Sequence, residues 1–151
     1  MKRLRIYVDT SVIGGCFDRE FQQESRALLQ MAKGGKLILL VSDILAIELE
    51  KAPRKIGEEF ASLPPECLEA VSNMEEAERL RDLYLEAKVV GPARKMDAHH
   101  VALATVARAD MIVSWNFKHI VHYEKIRGFN AINIREGYPP IEIRTPKEVF
   151  R

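Results

Sequence analysis

Residues 36–42, KLILLVS, set the strongest limit on what this chain can become. The run has the length of a strand, and from Leu37 to Val41 it carries no polar residue. A strand with one wet face alternates apolar and polar side chains. One that is apolar throughout has to be covered on both faces, as strands are in a parallel sheet flanked by helices. A second segment, LRIYV at 4–8, is rich in β-formers and stops at the charged, hydroxyl-bearing step Asp9, Thr10, Ser11.

Helical patterns fill the intervals. A helix is expected to begin at Thr10 or Ser11. ESRALLQMAKGG (24–35) places Ala27, Leu28 and Met31 at helical spacing and ends at two glycines. Ser42 or Asp43 is positioned to cap the helix ILAIELEKAPRKIGEEFASL, which Pro53 should kink or split. Pro64 and Pro65 break the chain before a short helix expected over 66–72. MEEAERLRDLYLEAKVV (74–90) reads as an amphipathic helix closed by Gly91 and Pro92. KMDAHHVALATVARAD (95–110) is apolar around its whole circumference and is expected to be buried. MIVS (111–114) reads as a strand, FKHIVHYEKIRGF as helical in part, and NAINI (130–134) as the last strand. From Tyr138, with Pro139, Pro140 and Pro146, the chain reads as an extended, peripheral tail. Strands alternating with helices imply an α/β fold, a parallel sheet between helical layers, in one domain over residues 1–151.

Composition narrows the function classes. With 47% hydrophobic and 30% charged residues the chain is globular, and a net charge of +1 gives no global field to attract a polyanion. Nucleic-acid contact would need a local patch. Two cysteines, Cys16 and Cys67, make neither a disulfide framework nor a zinc pair. The N-terminal apolar stretch is interrupted by Arg5 and stops at Asp9, too short for a signal-peptide core, and no later segment is long enough for a membrane span. The expected address is the cytoplasm.

In open α/β sheets, ligands collect at the carboxyl ends of the strands. Asp9 stands at such an end. Glu48 borders the apolar stripe Leu45, Leu49, Ala52 and Ile56, Asp97 opens the most apolar helix, and Asn116 follows the strand MIVS. Each has a purely structural reading: Asp9 or Asp97 as a helix cap, and Glu48 paired with Lys51 or Lys55. Taken together, three acids and an amide form an oxygen-rich set suited to Mg²⁺ or Mn²⁺. Arg54, Lys55, Arg94, Lys95 and Lys118 flank these positions in sequence. Trp115 and Phe117 are candidates for base stacking, with at least one expected in the core. His99, His100, His119 and His122 complete no zinc motif and read as core or surface residues.

These segments resemble the motifs of the PIN-domain family, metal-dependent nucleases that include the VapC-type toxins of toxin–antitoxin pairs. YVDTSVI is similar to the opening motif, with Asp9 as its acid and Ser11 as the accompanying hydroxyl. SDILAIELEK is similar to the second, with Glu48, and KMDAHHVALA to the third, with Asp97. IVSWNFKHI resembles the fourth, a T-x-D-x-x-F pattern in which Ser114 and Asn116 stand here, so one acid is replaced by an amide. The resemblance implies a three-layer fold with a four- or five-stranded parallel sheet. It also implies Mg²⁺- or Mn²⁺-dependent hydrolysis of RNA phosphodiesters by Asp9, Glu48, Asp97 and Asn116, with Ser11 orienting Asp9 or bound water. A cognate antitoxin, a homodimer, and a contact region around helix 74–90 are implied as well. The Asn116 replacement keeps a competing expectation open, a PIN-like module that binds RNA or protein with little turnover. A phosphotransfer protein is disfavoured, because Ser11 occupies the second position of the D-x-D that such a phosphatase needs.

Overall fold

In a computed structural model describing residues 2–72 and 74–149, five parallel strands form one sheet in the order β3-β2-β1-β4-β5. The strands are β1 (Leu4–Val8), β2 (Leu37–Ser42), β3 (Leu68–Val71), β4 (Met111–Val113) and β5 (Glu142–Arg144). Seven α-helices connect the strands among the described residues: α1 (Thr10–Gly15), α2 (Gln22–Lys33), α3 (Asp43–Lys51), α4 (Arg54–Ala61), α5 (Glu75–Glu86), α6 (Lys95–Val106) and α7 (Tyr123–Arg135).

The apolar strands divide their side chains between two cores with period two. Ile6, Val8, Leu37, Leu39, Met111 and Val113 pack beneath α1 and α2 with Val12, Ile13, Leu28 and Leu29. Tyr7, Leu40 and Ile112 point the other way, into a core built by Leu80 and Tyr84 of α5, Val101 and Leu103 of α6, and Phe129 of α7. Both faces of the central strands are thus dry, which is why Leu37 to Val41 carries no polar residue. In α6 every residue from Ala98 to Thr105 is buried. None of the described helices is long and apolar enough to cross a membrane.

Three local expectations are corrected. Residues 66–72 are not a helix: after a 3₁₀ turn at Pro65–Cys67, β3 pairs with the free edge of β2, Leu39 opposite Leu68 and Ser42 opposite Val71. Residues 130–134 lie inside α7. Phe129, Ile132 and Asn133 form its buried face at helical spacing, and Ile134 is exposed. The last strand comes from the tail, which is therefore not peripheral. Ile141 and Ile143 are buried, β5 pairs with β4, and the Asn130 side chain both donates to and accepts from the Ile141 backbone (3.0 and 2.7 Å). Helix α5 also ends earlier than Gly91: Lys88 takes a left-handed conformation (φ 59°) one residue past its C-cap, Ala87.

Arg5, the charge inside β1, ties two strands and a turn. Its Nε and Nη2 grip both carboxylate oxygens of Glu69 on β3, and its Nη1 and Nη2 also donate to the carbonyls of Arg108 and Ala107 beyond α6. Hydrogen bonding to Arg5 holds the Glu69 carboxyl below its ordinary value of 4.5. A lowered folded value stabilises the protein above the unfolded pKa, and the effect is lost as pH falls through the folded one. Glu69→Gln should therefore cost about 0.5–1 kcal/mol at neutral pH, the range left to a part-exposed pair after solvent screening. Urea denaturation of both proteins at pH 7 and pH 3 checks this, with the gap expected to close at the lower pH.

Candidate active site

Strand order reverses at β1, which has β2 on one side and β4 on the other although β2, β3 and their helices intervene in the chain. A crevice opens where neighbouring connections leave in opposite directions, at the carboxyl ends of the two strands. Asp9 follows β1 at this point, and Ser114 follows β4.

Asp9 occupies the N-cap position of α1, yet its side chain makes no cap hydrogen bond. Its two carboxylate oxygens instead accept from the hydroxyls of Ser11 (2.6 Å) and Ser114 (2.6 Å). Ser11 in turn accepts from the Trp115 amide (2.9 Å), and Ser114 from the Asn116 amide (2.9 Å). Burial raises the Asp9 carboxyl above its ordinary range. The charge of His100 and the two hydroxyls oppose the rise, and the charge of Glu48 adds to it.

Glu48 does not pair with Lys51 or Lys55. Its Oε1 accepts from Thr10 Oγ1 (2.7 Å), on the residue next to Asp9, and meets His100 Nε2 at 3.0 Å. Burial pushes the Glu48 carboxyl up, but the hydrogen bond and charge of His100, with Thr10, prevail and lower it. Asp97 sits in the first turn of α6, not at its cap, and its carboxylate makes no hydrogen bond or ion pair among the described residues. Its charge acts on His100 and on His119. Asn116 serves the backbone instead, where its Oδ1 accepts from the His119 amide (3.0 Å) and closes the turn after β4.

His100 joins these groups. It is 2% exposed, with Nδ1 2.7 Å from the Tyr7 hydroxyl and Nε2 on Glu48. Tyr7 donates onward to Ser42 Oγ (3.0 Å), the cap of α3. The Tyr7 contact at Nδ1 and the Glu48 carboxylate at Nε2 give each ring nitrogen a partner. Burial lowers the basicity of this imidazole, but the Glu48 hydrogen bond and the charges of Asp9, Glu48 and Asp97 outweigh that and raise it. His99, equally buried, is pushed down to about 4 by burial and the nearby Arg81 charge. The sequence reading of both histidines as core or surface residues missed the His100 contact. The available signal was its position three residues after Asp97, one turn on along the same buried helix.

Among the described residues, no group of three or more His, Cys, Asp and Glu side chains forms a ready metal cage. What the site offers is a pair of carboxylates, Asp9 and Glu48, linked through Thr10, with the charge of Asp97 also acting on His100. These are hard oxygen donors, and Glu48 Oε2 has no partner among the described residues. Mg²⁺ is commonly held by one or two carboxylates with water and phosphate completing its shell, so this donor set fits such an ion without a closed cage.

The wall beyond Ser114 is aromatic. Trp115 is 7% exposed, stacks on Phe21 (centroids 4.2 Å apart) and donates from Nε1 to Ser25 Oγ (2.8 Å). Gly15 makes room for it, since a Cβ there would meet Ser25 Oγ and lie 2.7 Å from Trp115 Nε1. Of the flanking cations, Arg54 is paired with Glu58 (2.9 Å), and Lys55 lies over the Phe17 ring. Arg94, Lys95 and Lys118 are exposed.

The family model for the PIN domain matches residues 5–118. No curated protein gives a significant match. Among solved structures, the chain is similar to a crystal structure of VapBC2 from Rickettsia felis bound to a DNA fragment from their promoter. The identity is 14% and the TM-score 0.58, covering 94% of this chain and 98% of that one, a likeness of fold.

Two substitutions test the geometry. His100→Ala removes one partner from the Tyr7 hydroxyl and one from Glu48 Oε1 and leaves a cavity, and should lower stability by about 2–3 kcal/mol in urea denaturation. Gly15→Ala should cost roughly 1–3 kcal/mol through overpacking and shift the emission of Trp115, the single tryptophan.

Proposed function

The chain belongs to the PIN-domain family, and from that premise we propose that it is a divalent-metal-dependent ribonuclease, the toxin of a toxin–antitoxin pair. The observation that carries this reading is the linked carboxylate pair at the switch point of the sheet. Asp9 is buried and held by Ser11 and Ser114, and Glu48 is tied to the next residue, Thr10.

In this reading Asp9 and Glu48, with Asp97 and Asn116, would hold Mg²⁺ or Mn²⁺. The bound ion supplies positive charge against the phosphoryl oxygens and a more acidic water. The chain's own residues do the positioning. Ser11 and Ser114 fix the rotamer of Asp9, while Thr10 and His100 take one oxygen of Glu48 and leave the other without a partner among the described residues. Arg94 and Lys118, both exposed and both acting on His119 alongside Asp97, would neutralise a phosphate backbone in this reading. The fold shared with VapBC2 supports an antitoxin partner, and a homodimer is the expected assembly.

Asn116 favours a second reading, a PIN-like module that grips RNA or protein with little turnover, since its amide oxygen is spent on capping a turn. One assay separates the two. With single-stranded RNA and Mg²⁺ the protein should cleave, and EDTA should abolish cleavage. Asp9→Asn should reduce cleavage by at least roughly a hundredfold while the fold persists. Cleavage persisting in EDTA would exclude the metal reading, and RNA retained without cleavage would establish the binding module.

A further inference from the structure

We propose that Phe117 is the stacking platform for an unpaired base beside the scissile phosphate, so that the site takes single-stranded RNA. The inference rests on the nuclease reading above and adds a residue that selects the substrate.

A lone exposed aromatic side chain is ordinary on a protein surface. Phe117 differs in three respects. It is 48% exposed, yet its ring is backed by two others, Phe21 and Trp115, each with its centroid 6.1 Å away. Those two are stacked on each other, and Trp115 is locked by Ser25 and by the close approach of Gly15. The backing is therefore rigid, and one part of the Phe117 ring remains open to solvent.

The second respect is location. Phe117 follows Asn116, whose amide bonds to the Ser114 hydroxyl that holds Asp9. The Trp115 amide bonds to Ser11, the other hydroxyl on Asp9. Two residues of chain thus separate the aromatic ring from a group that touches the carboxylate.

The third respect is conformation. The Asn116 side chain closes the turn that carries Phe117, and the amides of Ile120 and Val121 return to the Asn116 carbonyl (3.2 and 2.8 Å). A ring held on a closed turn, against a fixed indole, loses little entropy when a base covers it. Bases stack on such surfaces whatever their identity, and in a duplex the faces are already occupied, so the platform selects unpaired RNA. Lys118, exposed on the same turn, can meet an adjacent phosphate.

The test uses the full chain and an RNA oligonucleotide in which 2-aminopurine is stepped through the sequence. In EDTA, where nothing is cut, one position should be quenched by the wild type. Phe117→Ala should lose that quenching and weaken binding roughly tenfold, and Phe117→Trp should retain both. In Mg²⁺, Phe117→Ala should raise KM by a similar factor with kcat little changed. With an abasic nucleotide at the quenched position, wild type and Phe117→Ala should behave alike.

Unchanged binding and quenching in Phe117→Ala overturns the proposal, as does equal affinity for a duplex of the same sequence. A Phe117→Ala protein that handles RNA normally but no longer pairs with a protein partner also overturns it. Quenching through Phe117 without any cleavage in Mg²⁺ upholds the platform and removes the nuclease reading. Cleavage by Phe117→Ala with both KM and kcat unchanged does the reverse.

Discussion

A carboxylate left 5% exposed between two parallel strands has to be supplied with donors or a cation, and the organisation of this site follows from how Asp9 meets that demand. Ser11 and Ser114 each give one short hydrogen bond, and each is itself held by a backbone amide from the loop after β4. The end of β1, the first turn of α1 and the exit of β4 are thereby joined through one side chain. Burial still holds the carboxyl above its ordinary range. The hydroxyls orient the group without neutralising it, and a bound cation would complete the arrangement.

The internal counter-charge comes from a residue whose neighbour has the opposite fate. His99 and His100 are consecutive on α6 and equally buried, but a step of one residue turns the side chain by roughly 100°. His100 points among Tyr7, Glu48 and Asp9, whose hydrogen bond and charges raise its basicity; His99 points toward Arg81 and is pushed down to about 4. The charges of Asp9, Glu48 and Asp97 all act on this ring and favour its protonated form. The ring also aligns Glu48 and links the site to Tyr7 and the cap of α3.

Where sequence and structure part, short-range preference lost to pairing available only in three dimensions. ECLEAV is a good helical sequence, but the open edge of β2 and the Arg5 guanidinium draw it into a strand. NAINI has the β-branched character of a strand. It is helical because Asn133 finds the Tyr84 hydroxyl and Thr105 in the core between α5 and α6, which a strand in that place would leave unpartnered. The tail residues Ile141 and Ile143 carry too weak a local pattern to announce β5, which exists because β4 has an unpaired side and Asn130 pins the entry. The same limit held at the site. Asp9, Glu48 and Asp97 stood out because an acid beside a buried strand or stripe is costly, and Ser11 and Ser114 through the motifs they belong to, whereas His100 looks ordinary until its partners are known.

The sequence by itself determined that a parallel sheet is buried on both faces, since runs such as LILLV have no residue suited to water. It also placed an acid at a strand end, because the chain changes there from apolar to polar in one step. Which strands became neighbours was decided only by the tertiary structure, and with it the meeting of Asp9 with Ser114, of Glu48 with His100, and of Trp115 with Gly15. Those contacts join residues far apart in the chain, 105 positions for Asp9 and Ser114, where hydrogen bonds depend on packing that no local pattern encodes.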